Sequence, residues 1–493
     1  MHQISDATRR FLDQPAKFLI GGEWRLGSDG QESDSIDPAT GQVIGSYCVA
    51  SDDDADAAVE AAHEAFTDKR WRGKTPSERQ AILLKLAELM ERDAQVLAEL
   101  ETLDGGKLYG AALNGEIPHA AETFRYYAGW VTKLGGHLFE PSVPGRQYHA
   151  FTRDDPVGVA ALITPWNGAL VSAAWKLAPA LAAGCSCVLK PSEMTSLSSL
   201  YFGRLLAEAG IPDGVVNIVT GPGSQIGSRL VRNARVAKVS FTGSTATGKA
   251  IINDSRDNIT RLSLELGGKS PVLIFDDADL DTAIPAAAEA IFSNAGQVCV
   301  AGSRIYAQSG VYDRVVEGLV KIAEDFRIGS GLDPASTMGP LIGAAHQQRV
   351  SGMVEQAKAD GAQAATGGSS CEGAGSFYRP TVLIGAAQAT EVVQEEVFGP
   401  VVAVSPFGDE AEGLRLANDS RYGLAASIWT GDGARALRLT EDIQAGIIWI
   451  NEHGIPELAM PIGGVKNSGI GREHGLEGLR AFTETRSVMM RLK

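Results

Sequence analysis

The sequence predicts an α/β fold arranged as two domains. Three observations carry this expectation. Short apolar runs alternate with helical stretches along most of the 493 residues, the pattern of a parallel sheet covered on both faces. The run from Val157 to Leu189 holds only Lys176 as a formal charge, and it contains Pro165, Asn167 and Pro179. It therefore reads as buried core rather than a membrane span. A second strand–helix series begins near Lys269, after the pair Gly267–Gly268.

Taken in order, "FLIGGEWR" alternates around two glycines and predicts a hairpin. "SDDDADAAVEAAHEAF" has acids in its first turn and then alanine-rich helical spacing. The stretch from Thr75 to Lys107 predicts a helix with Thr75 as N-cap, Pro76 at the first helical position and glycines past its end. "VGVAALI", "SCVLK", "VVNIVTG" and "KVSFTG" read as buried strands, with helices such as "SLSSLYFGRLLAEAG" between them. "SPVLIF", "RIYAQ", "VVAVSPF" and "AASIWT" are strands of the second series. "ATGGSSCEGAGS" (residues 365–376) is an exposed small-residue loop, and "LRAFTETRSVMMRL" is a strand after a helix.

Composition excludes several classes. Charged residues are 21% and the formal charge is −16, which opposes binding to nucleic acid. Five cysteines (Cys48, Cys185, Cys187, Cys299 and Cys371) are too few and odd in number for a disulfide framework, so a reducing, cytoplasmic setting is expected. The N-terminal "MHQISDATRRFLDQ" has no apolar core, so no secretory signal is expected. The eight histidines are scattered and the Cys185/Cys187 pair has no second half, so no metal site is expected.

Several stretches carry candidate chemistry. "VSFTGSTATGKA" runs strand, glycine turn, helix, and its helix N-terminus suits a pyrophosphate. Gly243 to Lys249 fits most of a triphosphate-binding loop, but Ala250 stands where Ser or Thr would hold magnesium; a plain tight turn is the alternative. "TGPGSQIG" is a second glycine turn off the usual dinucleotide spacing. "SCVLKPSE" brings Lys190 and Glu193 to a strand end, where open sheets bind ligands or where a surface ion pair would sit. "RLSLELGGK" alternates, with Leu262, Leu264 and Leu266 on one face and Ser263 and Glu265 on the other. Glu265 then reads as a general base at a strand end or as a solvated carboxylate. Asn167 in "ITPWNGAL" reads as an oxyanion donor or a helix cap. Cys299, in "NAGQVCVAGSR", reads as a packing thiol or as a nucleophile in a dry, uncrowded site.

The order of "PWN", "KPSE", "FTGSTATG", "LELGGKSP", "GQVCVAGSR", "EEVFGP" and "PIGGVKNSGIGRE" resembles the NAD(P)-dependent aldehyde dehydrogenase superfamily over almost the whole chain. The resemblance implies a Rossmann-like NAD-binding domain (residues 1–132 and 153–266), an α/β catalytic domain (267–462) and a small β oligomerisation arm (133–152 and 478–493). It implies Cys299 as nucleophile, Glu265 as the base that activates water, and Asn167 with the Cys299 amide as oxyanion hole. Lys190 and Glu193 are to hold the adenosine ribose, Gly243 and Ser244 the pyrophosphate, with Trp166 packed nearby. Glu396 and Phe398 are to position the nicotinamide ribose; Thr164, Gly223, Gly227, Phe241 and Leu266 complete the cofactor site. The cofactor implied is NAD, favoured over NADP by the Glu193 carboxylate. The partner implied is a small aldehyde, with no nucleic acid or membrane, and the assembly a homodimer or homotetramer.

The substrate pocket implied comprises His119, Gly168, Ser172, Trp175, Ser293, Val298, Asn451, Ile455 and Ile462. Here the chain departs from the commonest family pattern. Gly168 and Ala169 follow "PWN" where an aromatic residue and proline are frequent; Ser293 stands for a bulky residue and Ile462 for Phe. The loop "NEHGIPEL" adds Glu452, His453 and Glu457. A wide, partly polar pocket for a bulky, aromatic or oxygenated aldehyde is expected, with the nearest likeness to bacterial phenylacetaldehyde dehydrogenases. The alternatives are a CoA-acylating relative and a non-catalytic structural protein on the same fold.

Overall fold

The computed structural model describes residues 2–492. Two large sheets organise it. The first has eight strands, and its middle five run parallel in the spatial order Arg261–Glu265, Val236–Thr242, Val159–Ile163, Ser186–Lys190, Val216–Ile218. The hairpin Phe18–Ile20/Glu23–Arg25 adds antiparallel strands at one edge, and Gly469–Ile470 pairs antiparallel with Arg261–Glu265 at the other. The second sheet has seven strands, parallel except at one edge, centred on Pro271–Ile274, Arg304–Gln308 and Val401–Phe407. Val159–Ile163 and Ser186–Lys190 are buried along their whole length, as a parallel strand sandwiched by helices must be.

Gly267 and Gly268 join the last parallel strand of the first sheet to Pro271–Ile274 of the second. A third sheet pairs Thr483–Arg491, Tyr148–Pro156 and Leu138–Phe139, all antiparallel. Its middle strand runs beyond residue 152 to Pro156. Among the described residues no helix is long and apolar enough to cross a membrane.

Local chemistry explains the helix starts. Ser51 and Thr75 each form a reciprocal capping box, with Asp54 and Glu78 respectively. The long helix expected after Thr75 is two helices, Pro76–Arg92 and Ala94–Gly105. The break falls at Asp93, whose carboxylate accepts from Arg92 and from the Tyr201 hydroxyl at 3.0 Å, an alternative partner for a residue that competes with helix backbone. Ser263 and Glu265 are both buried, because Gly469–Ile470 covers that edge of the sheet.

Candidate active site

A single cavity of about 1640 Å³ lies along the C-terminal ends of the first sheet and reaches the second, where open parallel sheets present ligand sites. Register brings its parts together: Ile163 pairs with Lys190, Phe241 with Ile163, and Thr242 with Glu265.

One end is built mostly from backbone. Ser244 caps the helix Thr245–Ser255, accepting from the Thr247 amide at 3.1 Å. Ala246 in the first turn of that helix lines the cavity, and first-turn amides have no intrahelical partner. Gly223, Gly227, Gly243 and Ser244 line this end, with Lys190 and Glu193 beside them. Lys190 is buried, donates to the Pro191 carbonyl at 2.8 Å and lies 3.6 Å from Glu193, whose carboxylate is half exposed. Burial lowers the Lys190 pKa and Glu193 opposes that. The Thr164 hydroxyl is buried there without a hydrogen-bond partner; Phe241 and Leu266 complete the wall.

The middle is set by Trp166, Phe398 and Glu396. Trp166 packs edge-on to Phe398 with ring centroids 5.2 Å apart, and Phe398 adopts φ 57°. Glu396 accepts from the Gly268 amide at 2.9 Å. A Cβ at Gly267 would lie 2.4 Å from a Glu396 oxygen, so a larger residue there would displace the Glu396 carboxylate. Burial pushes the Glu396 carboxyl up to about 7, against the Gly268 bond and Lys269. Lys269 is itself pushed down to about 7 by burial and by Arg304.

Cys299 follows a strained turn. Asn294, Ala295 and Gly296 are consecutive left-handed residues with φ 48°, 53° and 71°, a conformation stored where surrounding structure enforces it. A Cβ at Gly296 would lie 2.0 Å from the Gly399 carbonyl oxygen. The Asn167 amide donates to the Gln297 carbonyl at 2.9 Å, which fixes Asn167 two residues from the thiol and leaves its second N–H free. Burial pushes the thiol up to about 12, helped by Glu396 and Glu265 and opposed by the Val300 and Cys299 amides. At rest it is protonated. Cys185 and Cys187 are also raised by burial, but they sit inside the first sheet, away from the cavity.

Glu265 is buried, with Oε1 lacking a hydrogen-bond partner. Its neighbours Leu266 and Gly267 line the cavity; its own side chain turns inward. Its carboxyl is raised well above the ordinary value by burial and then by Glu473, with Lys176 and Arg472 opposing. Lys176 and Glu473 form a buried ion pair beside it, joined by Thr242 at 2.7 Å and Ser240 at 2.9 Å. Sequence reasoning missed this pair, although the only charge in a long apolar run was its visible half.

At the substrate end His119, Gly168, Ser172, Trp175, Ser293, Val298, Ile455 and Ile462 all line the cavity. Asn451 does not. It sits at φ 52°, and its side chain is spent on the Thr430 amide at 3.0 Å and the Thr430 carbonyl at 3.1 Å. His453 also turns away. Its Nε2 donates to the Val300 carbonyl at 2.8 Å and its Nδ1 accepts from Ser427 at 3.0 Å, so it braces the Cys299 loop from behind. His474, absent from the sequence reading, lines the cavity instead.

The cleft thus has a glycine turn and a helix start at one end, and a thiol beside an amide side chain at the other. The aldehyde dehydrogenase family profile matches residues 24–488, and the chain belongs to that family. It is 42% identical over 484 residues to the phenylacetaldehyde dehydrogenase of Pseudomonas fluorescens, covering 97% of this chain and 96% of that one. It is 40% identical to human retinal dehydrogenase 2, covering 100% and 95%. The Bacillus cereus aldehyde dehydrogenase solved as an NAD+ complex superposes with a TM-score of 0.98 at 42% identity, covering all of both chains.

Proposed function

We propose that the chain oxidises a bulky aldehyde to its carboxylic acid with NAD, through a thioester on Cys299. The carrying observation is that one cavity holds the Cys299 thiol, the Asn167 amide and a glycine-turn helix start. The residues present fit the cofactor: the buried Thr164 hydroxyl has no partner, and the helix start at Ser244 and Ala246 faces the same cavity, as an anionic, oxygen-rich group requires. Lys190 and Glu193 would hold its ribose, Gly243 and Ser244 its pyrophosphate, and Glu396 its second ribose. The Glu193 carboxylate favours NAD over the 2′-phosphate of NADP. When bound, NAD supplies the hydride acceptor.

The chain's own groups do the rest. The Cys299 thiol must lose its proton as the S–C bond forms, because burial opposes a resting thiolate. Glu265, its proton affinity raised by burial, is the matched acceptor once its side chain rotates past Gly267. The free N–H of Asn167 and the Cys299 amide stabilise the tetrahedral oxyanion. Loss of hydride leaves a thioester; Glu265 passes the thiol's proton to solvent, then takes one from the water that attacks the thioester carbonyl and returns it to the departing sulfur, regenerating the thiol and releasing the acid.

The arm sheet supports self-association as a dimer or tetramer. It exposes Leu138 (71%), Phe139 (52%), Met489 (60%) and Met490 (53%), an apolar edge that a second copy would cover. The first experiment follows NADH absorbance with phenylacetaldehyde, a methoxylated aromatic aldehyde and acetaldehyde, with and without CoA, beside Cys299→Ala. Turnover by wild type alone, independent of CoA and fastest with the bulky aldehydes, is expected. Dependence on CoA, activity in the Cys299→Ala protein, or no reduction with any aldehyde would overturn the reading.

A further inference from the structure

One wall of the cavity is unfinished by the chain. His119 Nε2, Trp175 Nε1 and the His474 ring nitrogens are buried there with no side-chain hydrogen-bond partner, and only the Glu457 backbone approaches the His474 ring. The three rings form one cluster: His474 lies 4.8 Å from Trp175 and 6.3 Å from His119, and His119 lies 5.9 Å from Trp175, centroid to centroid. A buried polar nitrogen left unbonded is destabilising, and at least three at one wall demand an explanation. Backbone strain points the same way. His474 is fully buried at φ 60°, an unfavourable conformation for a histidine, held where the helix Gly475–Arg480 begins.

The charge state restricts what this wall accepts. Burial pushes His474 down to about 4 and lowers His119, so both rings are neutral near pH 7. Each neutral imidazole offers one donor and one acceptor, and the indole offers one donor. An anion finds no counter-charge in these rings, and the Glu457 and Glu122 carboxylates that act on His119 repel it. Position restricts it further. Gly168, Val171, Ser172 and Trp175 present one face of the helix Ala169–Ala183 to the cavity. Trp175 therefore stands about 10 Å along the axis from the Asn167 turn, several bonds from a carbonyl held at Cys299.

We propose that His119, Trp175 and His474 form a specificity pocket for a neutral oxygen substituent, a hydroxyl or an ether, carried on the substrate several bonds from its aldehyde. This rests on the aldehyde-oxidising reading above. It assigns His474 as a specificity-determining residue and narrows the substrate class to oxygenated bulky aldehydes.

The test compares 4-hydroxyphenylacetaldehyde with 4-methylphenylacetaldehyde, which matches its shape without the oxygen. Wild type is expected to prefer the hydroxyl compound by about tenfold or more in kcat/KM, as sites built to bond a substrate hydroxyl do. His474→Leu and His119→Met should each bring that ratio to within about twofold of unity, and His474→Gln should retain it. A purely structural role lowers both substrates together and leaves the ratio alone. If His474→Leu does not fold, the His119→Met ratio decides. A wild-type ratio near one with both compounds turned over overturns the proposal, as does betaine aldehyde outrunning both. Failure of every aldehyde to be oxidised is a distinct outcome, which overturns the reaction itself.

Discussion

The two ends of the cavity are made of different materials. The nucleotide end is largely backbone: a glycine turn, and a helix start whose Thr247 amide donates to the capping Ser244 hydroxyl. Its determinants fall in short motifs at successive strand ends between Thr164 and Leu266. The substrate end is side chains, His119, Trp175, Ile462 and His474, drawn from segments up to about 350 residues apart. Backbone recognition suits a ligand that does not change, and a wall of side chains suits one that does. The difference also determines how much of each end can be read from local pattern.

Cys299 and Asn167 stand where the ends meet, and the largest effect is expected there. Asn167→Ala should lower kcat by about 10²–10³, the usual cost of one oxyanion donor, with NAD affinity kept. A loss under fivefold in steady-state kinetics would assign the oxyanion elsewhere. Next, Glu193→Ser should raise the NADP-to-NAD ratio of kcat/KM by about tenfold, as removal of a like charge beside a 2′-phosphate requires. The aldehyde ranking should stay fixed. A ranking that moves with Glu193 would break the separation between the two ends.

A smaller effect concerns Glu396. Its folded carboxyl holds a proton up to about pH 7, whereas unfolded it ionises near 4.5. Its contribution is thus full below pH 4.5 and lost as pH climbs through about 7. Relative to wild type, Glu396→Gln should gain about 2 kcal/mol between pH 5 and 7.5 in urea unfolding. An equal difference at both pH values would refute the buried-acid assignment. Smallest is Asn451→Ala, which removes the two Thr430 bonds and leaves φ 52° unsupported. A stability loss of about 1 kcal/mol is expected. The aldehyde ranking is read alongside, and a shift would return Asn451 to the pocket wall.

The fold was legible wherever structure is local. The strands read from "VGVAALI", "SCVLK" and "KVSFTG" are central strands of the first sheet, and Ser51 and Thr75 cap the helices they precede. The break at Asp93 was not legible, because it depends on Tyr201, over a hundred residues away. The same holds for the site. Turn residues and the strand ends Lys190 and Glu265 carry a local signature, so their neighbourhood could be anticipated. Lys176 announced a buried charge, but Glu473, its partner, lies 297 residues on. His453 read as a pocket residue from its loop, yet its bond to the Val300 carbonyl draws it behind the wall. His474 had no periodic signal at all, since nothing in "GREHG" tells which ring will be buried.

The short strand Gly469–Ile470, laid against Glu265, has a consequence for how the enzyme is made. Glu265 pairs with Thr242 on one side and Gly469 on the other, so the outer edge of its strand waits for a partner synthesised about 200 residues later. At ribosomal speeds of about 5–20 residues per second that is roughly 10–40 s. For most of that interval Cys299 is already translated while Glu473 and His474 do not yet exist. The nascent chain thus carries a thiol without its finished surroundings, and the reactive centre is assembled only after both sheets have been made.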